Sequence, residues 1–277
     1  MKRLAIALSA VIGLSVGAVQ CASAADLPMK APPMVAAPAL FSWTGFYVGG
    51  NAGYAWGNSN VSTTVVTGSY LDAPSDLNQI NSLSPFKLNP NGFIGGVQAS
   101  YNYQSGNAVF GFEVDFQAFN TSASRDVSNL YPNPNQQVPA RYNLHQDVHT
   151  NWLFTARPRL GWASDNWLLY VTGGLAVTDL KSSYTFSDNA GFNYLGTSTA
   201  SATKAGWTLG GGVEYGLTRN WSIKAEYLYV DFGTVSANSL ATANIGVCTP
   251  ATCSNAFSHS ADLRSNIVRA GINYRFN

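Results

Sequence analysis

The sequence predicts an all-β chain, an eight-stranded antiparallel up-and-down transmembrane β-barrel. Three observations point there. From Trp43 onward, eight segments of ten to fifteen residues alternate apolar and polar side chains, the period of a strand with two unlike faces. Short and long connections between them alternate strictly, which in an up-and-down barrel puts every long loop at one end. Charges keep to one of the two faces, and the other forms an apolar set that a barrel wall turns toward lipid.

The N-terminus sets the compartment. Lys2 and Arg3 precede an apolar run from Leu4 to Val19 and the small residues Ala22-Ser23-Ala24-Ala25. This is the layout of a secretory signal peptide, with cleavage after Ala24 and Ala25 as the second choice. The run is too short and too rich in Ala, Gly and Ser for a membrane anchor. Gln20 before Cys21 is not the small residue that a lipidation site requires. Residues 25–42 carry Pro28, Pro32, Pro33 and Pro38 among Ala and Met, a periplasmic linker without a core. The domain reading is therefore 1–24 signal peptide, 25–42 linker and 43–277 barrel.

Composition narrows the class further. Without Lys2 and Arg3, 13 basic residues face 14 acidic ones, so nothing draws the chain to nucleic acid. Only 10% of residues are charged and 13% are aromatic, against roughly 25% charged in soluble domains. No apolar run of about 18 residues follows the leader, so no transmembrane helix is available.

The eight strands follow in order. Segment 43–56 sets Phe46, Val48, Ala52, Tyr54 and Trp56 against Gly49, Asn51 and Gly53. Segment 92–103 sets Phe93, Val97, Ala99, Tyr101 and Tyr103 against Gln98, Ser100 and Asn102. In 108–119, Phe110, Phe112, Val114, Phe116 and Ala118 oppose Glu113, Asp115 and Gln117. In 149–163, Trp152, Phe154, Ala156, Leu160 and Trp162 oppose Thr155, Arg157 and Arg159. Pro158 lacks an N–H, so a bulge or a locally broken ladder is expected there. Segment 167–178 carries Trp167, Leu169, Val171, Leu175 and Val177 against Tyr170, Thr172 and Thr178. Segment 205–217 carries Trp207, Leu209, Val213, Tyr215 and Leu217 against Thr208 and Glu214. Segment 221–232 carries Trp221, Ile223, Ala225, Tyr227 and Tyr229 against Ser222, Lys224 and Glu226. The last, 266–276, carries Val268, Ala270, Ile272, Tyr274 and Phe276 against Arg269, Asn273 and Arg275. Asp231 alone breaks the apolar face, at the outer end of its segment. The tight turns are 104–107, 164–166 and 218–220, and the long loops are 57–91, 120–148, 179–204 and 233–265.

Aromatics fall where two interfacial girdles would lie. Trp167, Trp221, Tyr103 and Phe276 mark one level, and Trp56, Trp152, Trp207 and Tyr229 the other. A secreted β-sandwich is the competing class, with these aromatics as its core. The mature chain keeps Cys248 and Cys253, for which export makes a disulfide the default. A metal pair is the rival, but no second Cys/His pair stands at zinc-site spacing.

Trp43-Thr-Gly-Phe-Tyr-Val-Gly-Gly-Asn-Ala-Gly-Tyr, Gly92-Phe-Ile-Gly-Gly-Val-Gln and Arg159-Leu-Gly-Trp-Ala resemble the small outer-membrane immunogenic, porin-family β-barrel proteins of α-proteobacteria. Glu226-Tyr-Leu-Tyr-Val-Asp-Phe-Gly and the ending Arg269-Ala-Gly-Ile-Asn-Tyr-Arg-Phe add to the match. The resemblance covers the strands and not the long loops. It implies an integral outer-membrane barrel with surface-exposed, antigenic loops and leaves any biochemical activity open. Such chains end on an aromatic residue read by the barrel-assembly machinery. Here Asn277 follows Phe276, an offset of one residue.

No G-x-S-x-G, H-E-x-x-H, P-loop or dinucleotide fingerprint occurs, so the reading is non-enzymatic, with no catalytic residue, cofactor or metal assigned. His145, Asp147 and His149 share a strand face and the parity of Arg157 and Arg159, so they are expected to face inward or line a loop. Two imidazoles and a carboxylate suit a divalent metal, and solvated rim residues are the other reading. The inward charges are four acids (Glu113, Asp115, Glu214, Glu226) and five bases (Arg157, Arg159, Lys224, Arg269, Arg275), a balance that suits pairing across a narrow lumen. The function expected is a structural and interaction barrel with a closed lumen, a small-solute porin being the alternative. The expected partners are outer-membrane lipid and lipopolysaccharide, the assembly machinery, and an extracellular molecule that touches the loops.

Overall fold

A computed structural model of the chain describes residues 41–66, 68–69, 71, 73–132, 140–189, 194–243 and 254–276. Residues 1–24, read above as a signal peptide, and nearly all of the expected 25–42 linker lie outside the described residues, as do Cys248, Cys253 and Asn277. Nine strands and one helix follow in chain order: β1 (Gly45–Val65), α1 (Pro74–Leu83), β2 (Phe86–Leu88), β3 (Asn91–Ser105), β4 (Ala108–Leu130), β5 (Arg141–Ser164), β6 (Trp167–Asp188), β7 (Tyr194–Gly216), β8 (Trp221–Ala243) and β9 (Ser254–Phe276). Each long strand pairs antiparallel with its neighbour, and β1 pairs with β9, closing a ring of eight. The apolar set predicted for each strand faces outward; Phe93 and Trp162, for example, stay 80% and 63% exposed.

Strand length is the main departure from the sequence reading. β4 to β9 run for 22 to 24 residues, where segments of about a dozen were expected. A transmembrane strand needs only about 9–11 residues. The tight turns fix the lower end at the periplasmic girdle, so the surplus continues outward, and most of the predicted long loops are strand. Loop 57–91 also contains α1 and β2. Asn81 of α1 docks the helix on β1, accepting from Val65 N–H (2.8 Å) and donating to Val65 O (3.1 Å).

Ladder irregularities mark where strands leave the membrane. The β5–β6 register shifts between His149 and Leu153, and the β8–β9 register shifts between Asp231 and Thr234. Gly233 sits in the second bulge at φ +64°, a left-handed conformation that glycine adopts without strain. Pro158 produces no register shift. It pairs with Phe112 on the β4 side, while the β6 ladder skips from Ala156 to Arg159 and Thr172 Oγ1 donates to Pro158 O at 2.8 Å. The locally broken ladder is therefore what occurs, and no bulge forms.

At the periplasmic end the residues just before β1 pack inward. Phe41 and Trp43 fold into the barrel mouth, Trp43 fully buried among Val109, Ala163, Leu168 and Tyr170. Its backbone N–H donates to Gln104 Oε1 (2.8 Å), and its carbonyl accepts from Tyr47 OH (2.9 Å). Trp43 is thus a plug residue, and the strand begins at Gly45.

Candidate functional site: the packed lumen

Inward side chains fill the lumen in layers. Above the Trp43 plug lies a polar crossing: Asn51 Nδ2 donates to Gln98 Oε1 (2.8 Å), Gln98 Nε2 to Asn273 Oδ1 (2.5 Å), and Asn273 Nδ2 to Glu214 Oε1 (2.8 Å). The chain spans β1, β3, β9 and β7. Glycines on the inner wall make room for it. At Gly49 a Cβ would collide with Asn273 Oδ1 and the Ile272 carbonyl, so no larger residue fits beside that amide.

The charged layer is next. Arg157 Nη2 reaches Glu113 Oε1 and Asp115 Oδ2, both at 2.7 Å, and its Nη1 reaches Glu226 Oε1 at 3.2 Å. Arg159 pairs with Glu214 (2.8 Å) and more loosely with Glu113 (3.4 Å). Lys224 Nζ sits 2.8 and 2.9 Å from the two Glu113 oxygens. Arg269 joins Asp115 (2.9 Å) to Glu226 (2.7 Å through Nε). Its members are at most 3% exposed. Burying ions costs several kcal/mol each unless they are paired and hydrogen-bonded. Every charge of this layer is paired, and of the guanidinium nitrogens only Arg157 Nε, Arg159 Nε and Arg269 Nη1 are buried without a hydrogen bond.

The neighbour-strand pairing of Glu113 and Asp115 with Arg157 and Arg159 was legible from sequence. The struts across the lumen, β5 to β8, β4 to β8 and β4 to β9, were not, because strand alternation gives a face but no partner across the barrel. One of the five predicted bases stands outside the layer. Arg275 lies lower, donating to Arg219 O (2.6 Å) with its guanidinium 5.0 Å from the centre of the Phe41 ring.

Above the charges the lumen turns apolar. Phe119, Leu153, Leu228, Val230, Leu263 and Ile267 close it in one cluster. Higher still, Leu77 and Ile80 of α1 pack with Tyr142, Leu144, Phe186 and Phe257 at the outer mouth. Between the two clusters sits His259. Its Nδ1 lies 3.0 Å from Thr63 Oγ1, its Nε2 2.8 Å from Ser239 Oγ, and its ring 4.2 Å from that of Tyr184. Burial lowers the His259 pKa to about 4.

The placement expected for His145, Asp147 and His149 is corrected. The irregularity between His149 and Leu153 reverses the parity of β5, so Tyr142, Leu144, Gln146, Val148 and Thr150 face inward and the three candidates face outward. His145 Nδ1 pairs with Asp126 Oδ1 (2.7 Å) and His149 Nδ1 with Asp147 Oδ2 (3.3 Å). Among the described residues no three His, Cys, Asp or Glu side chains gather as metal ligands.

The chain is 35% identical over 261 residues to the 31 kDa outer-membrane immunogenic protein of Brucella melitensis, a match covering 92% of this chain and 93% of that one. It is 31% identical to the 22 kDa outer membrane protein of Rhizobium leguminosarum bv. viciae, over 69% of this chain and 65% of the relative. Among solved structures, Neisserial surface protein A aligns with 84% of this chain and 98% of its own at 17% identity and a TM-score of 0.35. The outer membrane protease OmpT of Escherichia coli aligns with 85% of this chain and 98% of its own at 9% identity and a TM-score of 0.41. The profile of the outer membrane protein β-barrel domain matches residues 31–276, and the chain belongs to that family of the bacterial outer membrane.

Proposed function

We propose that the protein is a closed structural barrel of the outer membrane that holds an extended, surface-exposed β-structure outside the cell. It acts as an anchor and a display surface, with no enzymatic activity. The observation that carries this reading is the layered lumen. A layer of paired charges lies between the Trp43 plug and the apolar cluster around Phe119 and Leu263. A solute path would have to break ion pairs and then wet an apolar constriction, and hydrophobic constrictions of this kind stop flow by dewetting. An eight-stranded barrel is only wide enough for its side chains to fill it. The immunogenic character in the relatives' names fits a chain whose outer half projects from the membrane, and it supports a surface-antigen role here.

The partners that follow are the lipid around the apolar band, the lipopolysaccharide around the outer half, the assembly machinery at insertion, and an extracellular molecule at the outer end. The test is solute permeation into liposomes carrying the folded protein. The closed barrel gives uptake of small sugars no faster than empty liposomes. Uptake that scales with protein and falls with solute size would instead favour the small-solute porin.

A further inference from the structure

One face of the outer half carries a cleft with a polar and an apolar wall. Its elements meet where two ladders open side by side. On β1, the Asn60 N–H donates to Asp262 Oδ1 (2.5 Å) in place of a ladder carbonyl, and Asn60 Nδ2 donates to Asp262 Oδ2 (2.9 Å). The β1–β9 register accordingly skips from Asn58 and Arg264 to Val61 and Ala261. On β8 the Gly233 bulge carries Thr234 opposite Asp262. β2 adds the third wall, setting Lys87 directly across from Asn60. The result is an open cleft of about 460 Å³ whose polar wall is Asn60, Ser62, Lys87, Thr234, Ser260 and Asp262 and whose apolar wall is Val61, Pro85 and Phe86. That volume falls in the range of small-ligand sites, and bulges recur beside such sites because they re-aim side chains.

Chemistry and location select the ligand class. The polar wall presents amide, hydroxyl and carboxylate groups, which donate to and accept from sugar hydroxyls, and Val61, Pro85 and Phe86 offer an apolar wall for the C–H face of a sugar ring. Lys87 is exposed and makes no ion pair among the described residues, whereas Arg264 below the cleft is held by Asp231 at 3.2 Å. Lys204 adds a second ammonium at the cleft's edge, donating to Thr234 O at 3.0 Å. Asn60 lies four residues outward of Trp56, and Thr234 five beyond Tyr229, both of them girdle aromatics. At about 3.3 Å per residue on a tilted strand, the cleft stands roughly 10 Å above the apolar band, at the level of lipid headgroups.

The geometry points to a binding site for a phosphorylated sugar, with the phosphate on Lys87 and the sugar ring hydroxyls on Asn60, Asp262 and Thr234. In the membrane this is the headgroup chemistry of an outer-leaflet glycolipid. The site depends on the outer-membrane placement of the chain and not on whether its lumen conducts.

The test is calorimetric titration of the full folded protein in detergent micelles. The probes are deacylated, phosphorylated core oligosaccharide from lipopolysaccharide, the same oligosaccharide after phosphatase treatment, and inorganic phosphate. The phosphorylated oligosaccharide is expected to bind. Phosphatase treatment and Lys87→Gln each weaken binding at least tenfold, and Lys87→Arg retains it. Lys181→Gln, on the outer face of β6, leaves it unchanged. Folding of each variant is checked by its heat-shifted gel migration. Equal loss in Lys181→Gln, or full binding in folded Lys87→Gln, overturns the site. Inorganic phosphate binding as tightly as the oligosaccharide overturns the sugar assignment and leaves a free-phosphate site.

Discussion

Within the membrane the lumen holds Glu113, Asp115, Glu214 and Glu226 against Arg157, Arg159, Lys224 and Arg269, and the outer wall is Phe, Leu, Val, Trp and Tyr. Farther out, the same strands enclose Leu263, Phe232, Leu144 and Phe257, and their outward residues are Asn60, Ser62, His145, Asp147, Lys181 and Thr234. The pattern has inverted. A strand in lipid turns its apolar set outward and satisfies its lumen with polar groups. A strand in water does the reverse and builds an ordinary core. The two halves therefore share backbone ladders and are stabilised by opposite means: ion pairs below, apolar burial above.

Substitutions should separate the halves. The largest effect is expected for Arg157→Leu, which leaves Glu113, Asp115 and Glu226 short of a shared cation. Removing one member of a buried ionic network costs about 3–5 kcal/mol. Urea unfolding in detergent should show the whole barrel weakened, and unchanged unfolding would break the comparison. Leu263→Ala, at a fully buried position of the outer core, should cost about 2–4 kcal/mol. Its signature is protease cleavage in the outer half while the membrane half keeps its resistance to detergent.

The pH response should also belong to the outer half. His259 titrates near 4 in the fold against an ordinary 6.5, so below pH 6.5 an opened outer half binds a proton that the folded one refuses. Stability of that half therefore falls as pH drops from 6.5 toward 4 and is flat above 6.5. Proteolysis rates measured across that window should lose the slope in His259→Gln; a slope that persists assigns it to other groups. The smallest effect is expected at Gly233→Ala, about 1–2 kcal/mol for a side chain at positive φ, felt as faster proteolysis near the β8 bulge.

This inversion explains what could be read from the sequence. In β9 the apolar residues run Val268, Ala270, Ile272, Tyr274 and Phe276 on the outward parity, then Phe257, Ala261, Leu263 and Ile267 on the inward one. The switch near Ile267 looks like the end of a strand, so 233–265 reads as loop. β5 misleads differently. Apart from Leu153 and Ala163, which face inward, its apolar residues keep even numbers, Trp152 to Trp162 outward and Tyr142 to Val148 inward, because the irregularity at His149–Leu153 reverses the face midway. Extending the parity of Arg157 across it sends His149 to the wrong side. The charged layer was legible as a set because each member sits on a strand with clean alternation. Helix α1 was not, since ten residues with only Leu77 and Ile80 as deeply buried apolar anchors give little helical periodicity.

The central claim is that the membrane half is filled, and planar-bilayer recording of the monomeric folded protein tests it most directly. A closed barrel predicts no stable conductance steps in the parent, and none in a variant carrying Glu113→Ala, Arg157→Ala, Lys224→Ala and Glu226→Ala either, because the Trp43 plug and the apolar cluster around Phe119 and Leu263 still close the lumen. Large, stable steps from the parent, unaffected by neutralising Arg157 and Arg159, would contradict it.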